Sequence, residues 1–161
     1  MCFWASLAFK MAEPPFYAGS HIVGLLGLCG VAGTLTASFA GAYIQRVGVR
    51  RFNFIGAILQ IIAWLLFLFG ANLYATLIAG IMIIDIGMQC IQLSNQATMF
   101  DLNPSASNRI NTIFMTTYFI GGSLGTFLSG AAWSLWGWEG VVAAGILLSA
   151  CSLTVTASTN K

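Results

Sequence analysis

The sequence predicts an all-α polytopic membrane protein, and two observations carry this prediction. Only 6% of the 161 residues are charged, whereas a soluble domain of this size needs about a quarter. The chain also contains five continuous apolar runs, at residues 16–43, 52–71, 73–97, 110–136 and 140–157. Each run is close to or above the ~20 residues with which a helix spans a bilayer. A β-barrel would instead show short strands of alternating polarity, so the pattern favours helices.

The N-terminal stretch "MCFWASLAFKMAEPP" differs from the five runs because it is apolar only as far as Phe9. That length is about half of a transmembrane span. Two alternatives stay open: an interfacial helix, or the end of a transmembrane helix whose beginning is missing. We therefore expect a short helical segment at residues 1–15, followed by a five-span region at residues 16–161.

Basic residues in alternate connections predict the membrane orientation. Those that follow the first, third and fifth runs are Arg46, Arg50, Arg51, Arg109 and Lys161. The loops around residue 72 and at residues 137–139 contain neither lysine nor arginine. Because positive charge in short loops marks the cytoplasmic side, we predict a multi-pass protein of the plasma membrane with a cytoplasmic C-terminus.

An acidic residue, Asp85, lies near the middle of the third run, where a bare charge costs at least ~2.5–3.5 kcal/mol. At 100° per residue, Gln89, Gln92 and Gln96 fall on the same side of the helix. We call these four residues the Asp85 stripe. One hypothesis is that the stripe lines a substrate path and that Asp85 binds and releases a proton. The alternative is a hydrogen-bonded cluster between helices that only holds the bundle together.

Two further groups of polar residues are weaker candidates. Thr112 and Thr116 share one side of the fourth run and could complete a substrate path. Hydroxyl groups in membrane helices often bond to their own backbone, which favours a structural role for them. Asp101 and Arg109 enclose the loop "DLNPSASNR", where we expect them to anchor the loop to the neighbouring helix ends.

The residues that usually carry catalysis do not form a recognisable set in this sequence. There is one histidine, and the four cysteines do not have metal-ligand spacing. We therefore expect neither an enzyme nor a bound cofactor or metal. The net charge of +2 is too small and too localised to indicate nucleic-acid binding.

The loop "GAYIQRVGVRR" resembles the cytoplasmic signature loop of the major facilitator superfamily. The positions that match the family pattern are Gly41, Arg46, Gly48, Arg50 and Arg51. Gln45 stands where the family has an aspartate. The resemblance implies that the three arginines act as a cytoplasmic latch on neighbouring helix ends.

A second stretch, "SNQATMFDLNPSASNRINTIFMTTYFIGGSLGTFLSG", is similar to the tenth-to-eleventh helix region of bacterial proton-linked efflux members of that family. On this match the five runs are helices 8 to 12, and residues 1–15 are the truncated end of helix 7. The resemblance implies the C-terminal half of a secondary transporter in the bacterial inner membrane, an antiporter that exports a small molecule in exchange for protons. Two alternatives stay open: a truncated remnant that transports nothing, and a subunit that pairs with a separate N-terminal half.

Overall fold

A computed structural model describes residues 2–70, 72–102 and 104–158, and within these ranges the chain is helical with short connections. The all-α class predicted from the sequence is confirmed. The helices are α1 (Cys2–Ala12), α2 (Ser20–Gly27), α3 (Val31–Val47), α4 (Val49–Phe69), α5 (Tyr74–Leu102) and α6 (Ser107–Ser158). A 3₁₀ turn at Leu28–Gly30 joins α2 to α3, and another at Pro104–Ala106 precedes α6.

Four of the described segments are long and apolar enough to cross a membrane. They are His21–Phe39, Val49–Phe69, Tyr74–Asp101 and Ser107–Ser158. The last contains 52 residues, which as a straight helix would measure about 78 Å against a hydrocarbon core of about 30 Å. The polytopic class is therefore confirmed, while the count of five spans depends on how α6 is divided.

Helix α6 is broken near its middle, where the sequence predicts the loop between the fourth and fifth spans. Trp136 has φ −136° and ψ 16°, and Gly137 has φ 59° and ψ −142°, neither of which is helical. A Cβ atom on Gly140 would collide with the carbonyl oxygen of Ala132, eight residues earlier. Residues eight apart in a straight helix are about 12 Å apart, so the chain turns back on itself here. We call residues 107–135 the first arm of α6 and residues 138–158 the second arm.

Helix α1 is part of the bundle core rather than an appendage. Phe3, Leu7 and Met11, spaced four residues apart, are almost completely buried. The ring of Phe3 stacks on that of Phe67 in α4, with centroids 4.5 Å apart and planes 13° apart. Trp138 joins the same cluster and donates its indole N–H to the Phe67 carbonyl oxygen at 3.0 Å. Aromatic packing therefore ties α1 to α4 and to the second arm of α6.

The connections separate into two groups at opposite ends of the bundle. At one end, the Lys10 ammonium group donates to the Asn72 side-chain oxygen at 3.5 Å and lies 5.9 Å from the Trp138 ring centroid. At the other end, Asn53 near the start of α4 donates to Asn95 at 2.7 Å, and Gln96 donates to Asn111 at 3.0 Å. The arginine-bearing connections therefore share an end, as the alternation of spans predicts. Lys161, the predicted C-terminal basic residue, lies outside the described residues.

Two glycines set the spacing between α4 and α5. A Cβ atom on Gly56 would lie 2.7 Å from the carbonyl oxygen of Gly87, and one on Gly87 would lie 2.8 Å from the carbonyl oxygen of Gly56. Both distances are shorter than van der Waals contact, so neither position accepts a side chain without helix movement. Such close backbone approach is how helices associate in lipid, where apolar burial drives little.

We predict that Gly56→Leu lowers the thermal unfolding midpoint of the purified chain in detergent. Overpacking of this kind typically costs about 1–3 kcal/mol. The control is Gly130→Leu, because a Cβ atom on Gly130 meets no other atom within 4 Å. Circular dichroism at 222 nm would measure both midpoints, and equal midpoints would show that the α4–α5 contact does not depend on glycine.

Candidate functional site

The carboxyl group of Asp85 lies at the junction of α1, α3 and α5. Its side chain is 6% exposed, and the indole N–H of Trp4 donates to Oδ1 at 3.4 Å. A Cβ atom on Gly30 would be 3.2 Å from Oδ2, and one on Gly33 would be 3.3 Å from the Asp85 Cβ. The two glycines therefore give Asp85 the space to sit between helices, and Trp4 supplies a donor that lipid cannot.

Asp85 faces a cavity of about 180 Å³, which we call the Asp85 cavity. Its polar walls come from Trp4, Gln60 and Ser149, and the Ser149 hydroxyl donates to the Gln60 side-chain oxygen at 3.4 Å. Water takes up about 30 Å³ per molecule in the liquid, so the cavity has room for several molecules. Asp85 is the only acidic or basic side chain among the described residues that line it.

The other members of the Asp85 stripe meet different neighbours. Gln89 lies against Gly33 of α3, where a Cβ atom would be 3.4 Å from its Cγ. Gln92 lines a larger cavity, of about 600 Å³, between α4, α5 and the two arms of α6. We call this the α6 cavity. Gln96 donates to Asn111 at 3.0 Å. The stripe faces protein along its length, but its residues do not converge on one cavity.

Thr112 and Thr116 are exposed and bond to their own helix. Their hydroxyl groups donate to the carbonyl oxygens of Asn108, at 3.0 Å, and Thr112, at 2.8 Å. Neither residue lines the Asp85 cavity or the α6 cavity. Their neighbours Thr117 and Tyr118 line the α6 cavity instead. A role for Thr112 and Thr116 in a substrate path stays a prediction that the structure does not support by proximity.

The signature loop is a sharp break between two helices. Gly48, which ends α3 and begins α4, has φ 88° and ψ 143°, a region that favours glycine. Its N–H donates to the Ile44 carbonyl oxygen at 2.8 Å, and its own carbonyl oxygen accepts from Phe52 at 3.1 Å. The backbone of Gly41 and Gln45 lies in α3, but the Gln45 side chain lies outside what the structure describes.

The charged residues of both predicted cytoplasmic loops are exposed. They are Arg46, Arg50, Arg51, Asp101 and Arg109. The latch and the loop anchor therefore stay predictions. Within the described ranges, no group of three or more His, Cys, Asp or Glu side chains is placed to hold a metal ion.

Three residues of the Asp85 cavity were not identified from the sequence. Trp4 is separated from Asp85 by 81 positions, so no local periodicity relates the two. Ser149 is a small residue of a type common in membrane helices. Gln60 did offer a signal, since it is the one amide side chain in the apolar stretch 54–69, and polar side chains in membrane spans usually need partners.

The long apolar helices define the chain as a polytopic membrane protein. Within that class, residues 2–158 match the sequence profile of the Major Facilitator Superfamily, and the chain belongs to this family. The family consists of membrane transporters and not of enzymes.

Relatives that carry transporter names match most of the chain. The uncharacterized transporter YgaY of Escherichia coli O157:H7 is 37% identical over 152 residues, which are 94% of this chain and 39% of YgaY. The YgaY protein of strain K12 gives the same values. The Streptomyces coelicolor protein named "Probable transporter SCO4007" is 31% identical over 141 residues, 87% of this chain and 33% of its own length. The chain thus spans about two fifths or less of these relatives. No solved structure gives a significant match.

We predict that Asp85→Leu destabilises the purified chain more than Asp85→Asn does. Asparagine keeps an oxygen that accepts the Trp4 N–H, whereas leucine leaves that donor unpaired, which costs about 1–3 kcal/mol. Leucine also adds bulk against Gly30 and Gly33. Thermal unfolding in detergent would compare the two, with Met82→Leu as a volume-conserving control on the exposed side of α5. Equal midpoints for the Asp85 variants would mean that the Trp4 hydrogen bond adds no measurable stability.

Proposed function

We propose that this chain is part of a secondary transporter that exports a small solute across the bacterial inner membrane in exchange for protons, and that Asp85 carries the proton. The observation behind the proposal is a buried carboxyl group, in a helix long enough to span a membrane, that faces a cavity partly lined by polar side chains. Ionisable residues at such positions in membrane helices usually serve transport or proton transfer. Family membership and the names of the relatives support a transport role.

Both protonation states of Asp85 have hydrogen-bonding partners at this site. As a carboxylate it accepts from the Trp4 indole N–H, which can only donate. As a carboxylic acid it can also donate to a water molecule in the Asp85 cavity, or to the Gln60 oxygen through such a water. A proton carrier needs this property, because a site that accommodates only one state cannot cycle.

The chain covers 39% of YgaY and 33% of SCO4007, which supports the proposal that it is one part of a larger transporter. The proposal is that α1 corresponds to part of helix 7, and that α2 to α6 supply helices 8 to 12, with the two arms of α6 as the last two. Transporters of this kind bind solute between two pseudo-symmetric halves that rock against each other. The other half would then supply the opposite wall of the path, either in the same polypeptide or as a separate chain.

The proposed orientation places the end of the bundle with Arg46, Arg50 and Arg51 in the cytoplasm. Green fluorescent protein inserted at Gly48 is expected to fluoresce, and alkaline phosphatase inserted there to be inactive. Insertions at Gly137, at the opposite end, are expected to give the reverse pattern. The same readout at both positions would contradict an odd number of spans between them.

Transport itself is testable in a chimera in which this chain replaces the matched 152 residues of YgaY. Everted vesicles that contain a pH-sensitive dye would receive a panel of uncharged aromatic compounds, amphipathic compounds and sugars. We expect the addition of one or more of these solutes to drive protons across the vesicle membrane. We expect Asp85→Asn to abolish that proton movement or flatten its pH dependence. Glu139→Gln is the control, because Glu139 is an exposed carboxyl group away from both cavities.

Two outcomes of this experiment would count against the proposal. An unchanged pH profile in Asp85→Asn would assign Asp85 a structural role. Absence of solute-driven proton movement across the whole panel, in a chimera that inserts in normal amounts, would favour a remnant without transport activity.

A further inference from the structure

The α6 cavity does not include Asp85, and most of its lining differs from that of the Asp85 cavity. It has a volume of about 600 Å³ and lies between α4, α5 and the two arms of α6. Pockets that bind drug-sized molecules typically measure about 300–1,000 Å³. We infer that this cavity binds an uncharged amphipathic solute that combines a flat ring with a group able to donate and accept hydrogen bonds. The inference rests on the proposed transport function, because it names the class of solute that is carried.

The lining of the α6 cavity argues against a charged occupant. None of the described side chains that line it is acidic or basic, and Asp85 is not among them. A charged solute seated against this lining would give up part of its hydration without gaining an opposite charge, and this loss costs more for a charged group than for a neutral one. We therefore expect the uncharged lining of the α6 cavity to disfavour charged solutes.

The polar part of the wall argues against a purely hydrocarbon occupant such as a lipid chain. Three amide side chains, Gln60, Gln92 and Asn95, line the cavity. The oxygens of Gln60 and Asn95 already accept from Ser149, at 3.4 Å, and from Asn53, at 2.7 Å. Gln92 has no hydrogen bond to another described residue, and its amide offers both donors and an acceptor. Lipid cannot satisfy that amide, whereas a solute with a complementary group can.

The apolar part of the wall suits a ring. Phe114 and Tyr118 lie along one side with their ring planes only 24° apart and their centroids 6.4 Å apart. Met88 and Met99 also line the cavity, and unbranched thioether side chains adapt to different shapes and make favourable contacts with aromatic rings. This combination of nearly parallel rings and methionines would accept a range of flat molecules.

The α6 cavity shares part of its wall with the Asp85 cavity. Gln60, Met88 and Leu148 line both. A solute in the larger cavity would therefore touch residues that also bound the space next to Asp85. The shared wall gives a direct physical route by which solute binding and the proton on Asp85 can influence each other.

Photolabelling of the full chain in lipid nanodiscs tests the inference. The probes are a benzamide that carries a diazirine, its aminomethyl derivative, its carboxylate derivative, and an alkyl diazirine of similar size. Mass spectrometry would locate the labelled residues. We expect the benzamide to label residues 88–99 and 114–125 about tenfold more than the two charged probes or the alkyl probe do.

A matched pair of glycine variants distinguishes binding in the α6 cavity from binding elsewhere on the first arm of α6. Gly121 lines the cavity, and Gly130, nine residues later, lies on the opposite face of the helix. A Cβ atom on either glycine meets no other atom within 4 Å, so both accept leucine without backbone collision. Gly121→Leu is expected to lower benzamide labelling about tenfold, and Gly130→Leu to leave it unchanged. Gln92→Leu is a second test, which removes the amide while keeping a side chain of similar size.

Each outcome decides the inference. Equal labelling by the alkyl probe would make the cavity a lipid site, and equal labelling by a charged probe would contradict selection by the uncharged wall. Equal loss in Gly121→Leu and Gly130→Leu, or no labelling of these segments, would also overturn it. If photolabelling fails but the YgaY chimera shows proton movement that depends on Asp85, the proposed function still holds and only the inference about the cavity is wrong. If the probe labels the cavity as expected but the chimera shows no proton movement, the cavity binds the solute class and the proposed function is wrong.

Discussion

The burial of the Asp85 carboxyl group in an apolar medium is the constraint on which the centre of this bundle depends. A carboxyl group in that position needs hydrogen-bond partners from the protein, because the surrounding hydrocarbon offers none. The structure provides them by bringing α1 and α3 up to the same turn of α5. Trp4 supplies the donor from α1, while Gly30 and Gly33 remove the side chains that would otherwise keep α3 away. The three elements thus meet at one ionisable side chain.

Polar side chains in this bundle divide according to their reach. Hydroxyl groups are short, and those of Thr112, Thr116 and Thr117 donate to the carbonyl oxygen four residues earlier in the same helix. Amide side chains are longer and cannot close that bond easily, so Gln60 and Gln96 turn to other segments for partners. Gln92 lines the α6 cavity without a hydrogen bond to another described residue. The amides therefore mark polar interior surface of the bundle, whereas these three threonine hydroxyls do not.

The two cavities differ in ways that fit the two roles proposed for them, proton transfer and solute binding. The smaller one contains a titratable group beside a few polar side chains and has room for water. None of the described residues that line the larger one is charged, and its lining includes rings, thioethers and amides. A proton and an uncharged solute need opposite surroundings, since the first requires a basic atom and hydration and the second requires apolar contact. In the proposed mechanism, the residues shared by the two cavities, Gln60, Met88 and Leu148, would separate the proton from the solute by a short distance.

The sequence by itself determined the helical membrane class, the alternation of basic loops and the position of the break near residue 137, because the bilayer imposes these through length, hydropathy and charge on each segment separately. It also identified Asp85 and the polar side of α5, since helical periodicity relates residues within one segment. Only the tertiary structure decided that Trp4 and Ser149 meet at the Asp85 cavity, that Gly56 and Gly87 bring α4 and α5 together, and that Gln92 opens onto a different space from Asp85. These contacts join residues far apart in the chain, and no local period encodes them. Which residues meet depends on the rotation of each helix about its axis, and that rotation is fixed by the packing of side chains from several helices at once.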